Sequence, residues 1–187
     1  MFFALYKAPG VGSAFLDTDY SFDDVEDPMI MAKTEVVLPE FMKAFRLSLI
    51  AGRLEDSIRN DIWYLLSPRV IAVLKGAQNV RDLNIVPLPV EVQIRHPEVK
   101  GYCAFGVRRQ LECIDKAASD VAWSKDAPDR WIHAVYDLVI MAQKVPRDCD
   151  VFLIREWPVA PILRESVANR LRELNVAGLS LQPVNVS

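Results

Sequence analysis

The chain has few of the residues that usually build catalytic or metal centres. Its 187 residues contain only three cysteines and two histidines, and no C-x-x-C pair occurs. We therefore expect Cys103, Cys113 and Cys149 to form neither a disulfide framework nor a zinc site, and the expected compartment is a reducing cytoplasm. His96 and His133 stand apart in the sequence, whereas a metal site needs a cluster of ligands at defined spacing. No metal site and no cofactor are predicted.

Signature motifs and long apolar runs are also missing. No G-x-S-x-G, P-loop or G-x-G-x-x-G motif occurs. No run reaches the roughly 18 apolar residues of a membrane span, and the apolar residues 1–7 lack a basic leader. We predict that residues 1–7 form a first strand and that the protein contacts no membrane. Bases are diluted by acids, which argues against a nucleic-acid surface.

The few candidates for catalysis are poorly arranged. His133 and Asp137 would lie on one face of an extended strand, roughly 13 Å apart at about 3.3 Å per residue, which is too far for a direct bond. We expect His133 to be half-buried. Cys149 stands between two aspartates that disfavour a thiolate, and we expect it to be exposed. Cys103 and Cys113 are expected in the core. The sequence therefore predicts no catalytic residue.

Negative charge is concentrated in one segment. Eleven residues hold six acids and no base, and without them the net charge of −3 would become +3. The segment resembles a calcium loop, but Phe22 stands where such a loop has glycine and Pro28 where it has glutamate. We predict that these acids attract a basic protein partner; a plain solvated loop is the alternative. They are Asp17, Asp19, Asp23, Asp24, Glu26 and Asp27.

The last part of the chain has the clearest periodicity. Residues 151–154 and 159–163 are short apolar runs typical of strands. Val167, Leu171 and Leu174 then recur at helical spacing and predict a core-facing helix that ends near Gly178. Alternation resumes in residues 179–184 and predicts a final strand.

An earlier stretch repeats this pattern. Residues 63–66 predict a strand, Ser67 an N-cap, Pro68 the first helical residue and Gly76 the helix end. Aligning Val70 with Val167 places Pro89 opposite Pro183, with the first copy three residues longer. We interpret the two stretches as a duplicated strand-helix-strand unit within one domain; coincidence is the alternative.

The remaining segments contain more strands than helices. Alternation predicts a long edge strand over residues 86–94 and further strands over 102–109 and 131–141, whereas residues 116–129 look irregular or loosely helical. Residues 8–34 predict loops with at most a short ordered piece, residues 35–38 predict a short strand, and a helical turn followed by a strand is expected in residues 41–50. Together these patterns predict an α+β fold in a single domain, residues 1–187, with a mainly antiparallel sheet.

Four segments, taken in order, resemble a known bacterial family. They are Leu66-Ser67-Pro68-Arg69-Val70, then Leu111-Glu112-Cys113-Ile114-Asp115 with Ser119 four residues on, then Val151-Phe152-Leu153-Ile154-Arg155, then Ala177-Gly178-Leu179-Ser180-Leu181-Gln182-Pro183-Val184. The family, formerly a domain of unknown function, comprises immunity proteins of polymorphic toxin systems of the myxobacterial type. The resemblance covers roughly residues 45–185. Residues 105–107 lack the expected Asn, and Arg164 stands where a capping residue is expected.

The resemblance implies a function without turnover. A family member would bind a cognate protein toxin in the cytoplasm and block it by occlusion. Two alternatives remain open: an adaptor that delivers a secreted effector, and an enzyme that reverses toxin damage through His133, Asp137 or Cys149. The sequence predicts no oligomeric state.

Overall fold

The computed structural model describes residues 1–8, 13, 15–18, 47–50, 52–58, 64–88, 90–125 and 131–187. Over these residues the chain is α+β, as predicted. The helices are α1 Pro68–Lys75, α2 Val90–Arg95 and α3 Glu165–Glu173. The strands are β1 Phe2–Lys7, β2 Phe15–Thr18, β3 Leu47–Ile50, β4 Ser57–Ile58, β5 Tyr64–Leu66, β6 Leu83–Pro87, β7 Cys103–Val107, β8 Gln110–Leu111, β9 Asp120–Trp123, β10 Ile132–Asp137, β11 Val139–Ile140, β12 Val151–Ile154, β13 Trp157–Arg164 and β14 Leu179–Val186.

Two larger sheets contain most of the strands. One has six strands in the order β11-β14-β1-β13-β12-β8, and the other has four in the order β4-β5-β7-β6. Most neighbours are antiparallel, as predicted, whereas β11–β14 and β12–β8 are parallel. The pairs β9–β10 and β2–β3 form separate two-stranded ribbons.

The duplicated unit is confirmed by the topology of both sheets. In the first unit, the hairpin β4–β5 leads into α1 and then β6, and β7 lies between β5 and β6. In the second unit, the hairpin β12–β13 leads into α3 and then β14, and β1 lies between β13 and β14. Helices α1 and α3 thus each connect two parallel strands that are separated by one antiparallel strand. The strand inserted into the second unit comes from the beginning of the chain.

The register corrects the sequence alignment of the two units. Cys103 pairs with Leu66 on one side and Pro87 on the other. Phe3 occupies the equivalent place, between Leu163 and Pro183. The counterpart of Pro183 is therefore Pro87 and not Pro89. The stretch from Val70 to Pro87 is one residue longer than the stretch from Val167 to Pro183, whereas the sequence alignment predicts a difference of three residues.

The two units share one hydrophobic core. Side chains of both sheets and both helices contribute to it, with Val70, Ile71 and Leu74 from α1 and Val167, Ala168 and Leu171 from α3. The predicted stripe of α3 is thus correct for Val167 and Leu171, whereas Leu174 is half-buried at the C-cap. A second core covers the opposite face of the six-stranded sheet. Ala4, Phe152 and Ile162 contribute to it from the strands, and Cys113 and Ile114 pack against them.

Several local predictions need correction. Residues 90–95 form α2 rather than the end of a strand, which stops at Pro87. Because Val90 and Ile94 are exposed while Val92 is buried, alternating hydrophobicity there does not reflect a sheet face. Residues 120–123 form β9 instead of an irregular segment.

The end of α3 also differs from the prediction. The helix stops at Glu173, and Asn175, with φ +49°, supplies the left-handed residue. Gly178, with φ +78°, lies at the entry to β14, where an added Cβ would come within 2.9 Å of the Ser57 carbonyl oxygen. The first helix ends before Gly76, as predicted. The strand prediction for residues 35–38 falls outside the described residues.

Two buried aspartates fasten the units to each other. Asp56 and Asp150 each directly precede the first strand of a hairpin, and their carbonyl oxygens accept hydrogen bonds from the backbone N–H groups of Ser67 and Arg164, respectively. The carboxylate of Asp56 reaches the loop after α3, where it accepts the Ala177 N–H at 2.8 Å. The carboxylate of Asp150 reaches the loop after α1, where the Gln78 N–H lies at 2.9 Å. We call this exchange the aspartate latch.

The two halves of the aspartate latch are not equally satisfied. Asp56 also accepts hydrogen bonds from the Ser67 hydroxyl at 2.7 Å and from the Arg69 guanidinium. Burial opposes ionisation, but the bonds from Arg69, Ala177 and Ser67 outweigh it and lower the pKa of Asp56. Asp150 has Arg164 at 3.5 Å, and its Oδ1 has no hydrogen-bond partner within the part of the chain that the structure describes. Ser67 occupies the predicted N-cap position of α1, but its hydroxyl donates to Asp56 and does not accept a hydrogen bond from a helix N–H group.

Candidate functional site

The predicted acidic surface falls mostly outside the described residues. Asp17 lies in β2, where it pairs with Ser48 of β3. Asp19, Asp23, Asp24, Glu26 and Asp27 lie outside the part that the structure describes. The acidic segment therefore remains a sequence prediction.

The structure does not bring the predicted catalytic candidates together into a site. His133 is exposed on β10 rather than half-buried. Asp137, four residues on, accepts a hydrogen bond from the Asn185 side chain at 2.9 Å. His96 is half-buried, with its Nδ1 3.6 Å from Glu98. Asp137 and His96 therefore contact different neighbours instead of one shared centre.

The three cysteines are all buried thiols. Cys103 and Cys113 lie in the two cores, as predicted. Cys149 is only 2% exposed, which contradicts the prediction that it lies at the surface. Burial raises the pKa of Cys149 to about 11 and, with the nearby Glu156 charge, that of Cys113 to about 12. Thiolate chemistry at neutral pH is therefore disfavoured at both positions.

A cleft of about 750 Å³ on the described surface gathers charged and apolar side chains. It lies beside the second core, which contributes Ile114. The lining residues are Glu112, Ile114, Lys116, Trp131, Met141, Lys144, Arg155 and Glu156. They come from the segment after β8, the start of β10, the turn after β11 and the hairpin β12–β13. We refer to this feature as the cleft.

A tight hairpin places two of the lining residues of the cleft. Ile154 pairs with Trp157, so Arg155 and Glu156 form a two-residue turn. The Ile132 N–H donates to the Glu156 carbonyl at 2.9 Å, and the Arg155 N–H donates to the Leu111 carbonyl at 3.0 Å. These backbone bonds fix the turn against neighbouring segments. The cleft is therefore built on strand ends and backbone hydrogen bonds.

Most charges around the cleft are already compensated. Arg155 forms an ion pair with Glu112. The ammonium of Lys116 lies over the ring of Trp123, 4.7 Å from its centroid. Hydrogen bonds from Ser187 and from two backbone N–H groups, together with the charge of Lys144, lower the pKa of Asp115.

Glu156 differs from the other charges of the cleft. Its side chain is only 8% exposed, and its Oε2 has no hydrogen-bond partner among the described residues. Burying a carboxylate oxygen without a partner costs free energy. Glu156 therefore offers an unused acceptor at the edge of a cleft that also presents Trp131 and Met141.

Sequence reasoning missed the buried carboxylate of Glu156, although the hairpin that carries it could be recognised. Strands were predicted over residues 151–154 and 159–163, and a short connection that begins with Arg155 and Glu156 indicates a hairpin turn. Turn residues are usually solvated, so nothing local predicts a buried carboxylate. Its burial results from contacts with segments that are distant in sequence.

Two kinds of feature are absent from the described residues, namely a cluster of metal ligands and a membrane-spanning helix. No group of three or more His, Cys, Asp and Glu side chains is placed to hold a metal ion there. Nor do those residues include a helix of the length and apolarity needed to cross a membrane. No protein-family model matches the chain, and no curated protein matches it significantly.

Proposed function

We propose that the protein is an immunity protein of a bacterial polymorphic toxin system, which binds a cognate toxin domain in the cytoplasm and blocks it by occlusion. The order of the four sequence segments described above supports this class. The structural observation that favours binding is the cleft, because its lining combines Trp131 and Met141 with Glu156, whose buried Oε2 has no partner among the described residues. A surface with an unused acceptor gains from a partner that supplies the donor.

Occlusion makes few demands on individual residues. A stable complex of two proteins typically buries about 800 Å² on each partner, with a few anchor residues at its centre. Trp131 and Met141 are residue types enriched at such centres. The acidic segment from Asp17 to Asp27 would act at longer range by attracting a basic toxin.

Co-purification with the product of the adjacent gene tests the proposal. The toxin domain is assayed alone and with one equivalent of this protein. We expect a stable complex and loss of toxin activity at a one-to-one ratio. A complex that leaves the toxin active would indicate an adaptor. Protection at far below one equivalent would indicate an enzyme that reverses the damage.

The acidic segment has its own test within the same assay. Replacing its six acids by Asn and Ser should weaken inhibition and flatten its dependence on salt, because surface charges act mainly on the association rate. A matched control neutralises six exposed acids elsewhere, namely Glu91, Glu98, Asp120, Asp137, Asp148 and Glu173. Equal effects of the two sets would remove the specific role of the segment.

A further inference from the structure

We propose that the cleft binds a guanidinium group, supplied by an arginine side chain of the cognate toxin, with Glu156 as its acceptor and Trp131 beside its plane. This inference rests on the proposed function for the identity of the partner. The chemistry of the site itself is argued from the cleft alone.

The first step concerns the unpartnered carboxylate. Glu156 is more than nine-tenths buried, lines the cleft and leaves Oε2 without a donor among the described residues. A carboxylate in this position is stabilised best by a charged donor, because hydrogen bonds between ionised groups are stronger than neutral ones. The cleft therefore favours a cation at this point.

The second step concerns the cations already present. Arg155 is paired with Glu112, Lys116 lies over Trp123, and the charge of Lys144 contributes to lowering the pKa of Asp115. All three side chains are exposed. Glu156 is the charge of the lining that has no such partner among the described residues. The local imbalance at its carboxylate is therefore negative.

The third step separates guanidinium from ammonium. A guanidinium is planar, donates two parallel hydrogen bonds to a carboxylate and is more weakly hydrated than an ammonium. Trp131 lines the same cleft, and tryptophan is the best aromatic partner for a cation. Met141 adds a flexible, polarizable side chain that adapts to the shape of a ligand. These neighbours favour arginine over lysine.

The fourth step concerns the source of the group. At about 750 Å³ the cleft is much larger than one guanidinium. The remaining space suits the chain that carries the side chain, such as a protruding loop of a protein. The charged rim, with Lys116, Lys144 and Arg155, would contact polar groups of that loop.

A model compound tests the site without the toxin. Nα-acetyl-arginine methylamide is titrated into the full chain, and amide shifts of residues 112–116, 131–132 and 154–157 are followed by NMR. Its citrulline and lysine analogues serve as ligand controls. Glu156→Gln is compared with Glu173→Gln, an exposed acid on α3, and thermal unfolding checks that each variant is folded.

We expect the arginine compound to shift these amides and to bind at least tenfold more weakly to Glu156→Gln, while Glu173→Gln binds as the wild type does. The citrulline analogue should bind at least tenfold more weakly and the lysine analogue several-fold more weakly. Absence of binding to the wild type, undiminished binding to Glu156→Gln, or equal binding of citrulline or lysine would overturn the inference.

A second arm uses the adjacent-gene toxin and separates this inference from the proposed function. If toxin inhibition is unchanged in Glu156→Gln, the arginine anchor is wrong although the immunity function stands. If the toxin neither binds nor is inhibited but the arginine compound binds selectively, the immunity function is wrong and the assignment to a toxin arginine falls with it. The guanidinium site then survives with another source.

Discussion

Three carboxylates that are less than 10% exposed occupy two different kinds of surroundings. Asp56 and Asp150 hold equivalent positions in the duplicated units, and each accepts a backbone N–H of the other unit. Glu156, in the turn of the second hairpin, has an oxygen with no partner among the described residues. The aspartate latch uses buried carboxylates to hold the fold together, whereas the cleft contains a buried carboxylate whose Oε2 has no hydrogen-bond partner among the described residues.

This difference in pairing indicates which buried carboxylate lowers the stability of the folded protein. Buried polar groups in folded proteins are almost always paired, so an exception calls for an explanation. At the aspartate latch, pairing is most complete around Asp56, which also bonds to Ser67 and Arg69. Asp150 Oδ1 also lacks a hydrogen-bond partner among the described residues, but Arg164 lies 3.5 Å away as a counter-charge. Function is therefore expected at Glu156 rather than at the two aspartates.

The largest expected effect is the loss of the better satisfied latch residue. Asp56→Ala should lower the free energy of unfolding by about 3 kcal/mol, at the low end for a broken buried ion pair because Arg69 is half exposed. It leaves the Ala177 N–H and the Ser67 hydroxyl without their acceptor. Urea unfolding measures the loss, with the exposed Asp148→Ala as control. A cost no greater than that of the control would contradict the latch.

Asp150→Ala should have a smaller effect, about 1.5 kcal/mol. The Gln78 N–H loses its acceptor, but Arg164 still donates to the Pro146 carbonyl at 2.8 Å. The same urea experiment compares the two latch variants directly. If Asp150→Ala costs more than Asp56→Ala, hydrogen-bond satisfaction does not rank the two halves correctly.

Acid should weaken the latch at Asp56. Its pKa is lowered on folding, so its contribution is fully present above the ordinary value near 3.8 and is lost as the pH falls through the folded value. The unfolding free energy of the wild type should therefore fall below about pH 4 more steeply than that of Asp56→Asn. Unfolding curves between pH 2 and 7 measure the two slopes, and parallel curves would mean that Asp56 is not the titrating group.

Much of the fold follows from periodicity, and the failures have physical causes. The apolar stripe of α3 and the end signals around α1 predicted both helices, and the structure shows that their buried side chains share one core. The alternation around Pro87 and Pro89 could not place the strand end. Because the two prolines are two residues apart, either of them could be aligned with Pro183 without changing which side chains share a face of the strand. Burial of Cys149 was missed because its neighbour Asp150 is itself buried, through partners more than seventy residues away.

The candidate site was less predictable than the fold. Its lining joins four segments between residues 112 and 156, and the interactions that compensate its charges depend on their packing. The sequence pointed to the acidic segment instead, because charge density is visible without tertiary structure. An unpartnered oxygen is visible only after every neighbour has been placed.

The most direct test of the contrast is the unfolding free energy of Glu156→Gln. Removing a buried carboxylate oxygen that has no partner among the described residues, while keeping the side-chain shape, should stabilise the free protein by about 1 kcal/mol. The test is made by urea denaturation at pH 7 in the absence of any partner. A gain or an unchanged value supports a carboxylate kept for a ligand. A loss of about 2 kcal/mol or more, approaching that of Asp56→Ala, would show that Glu156 holds the fold as the aspartates do.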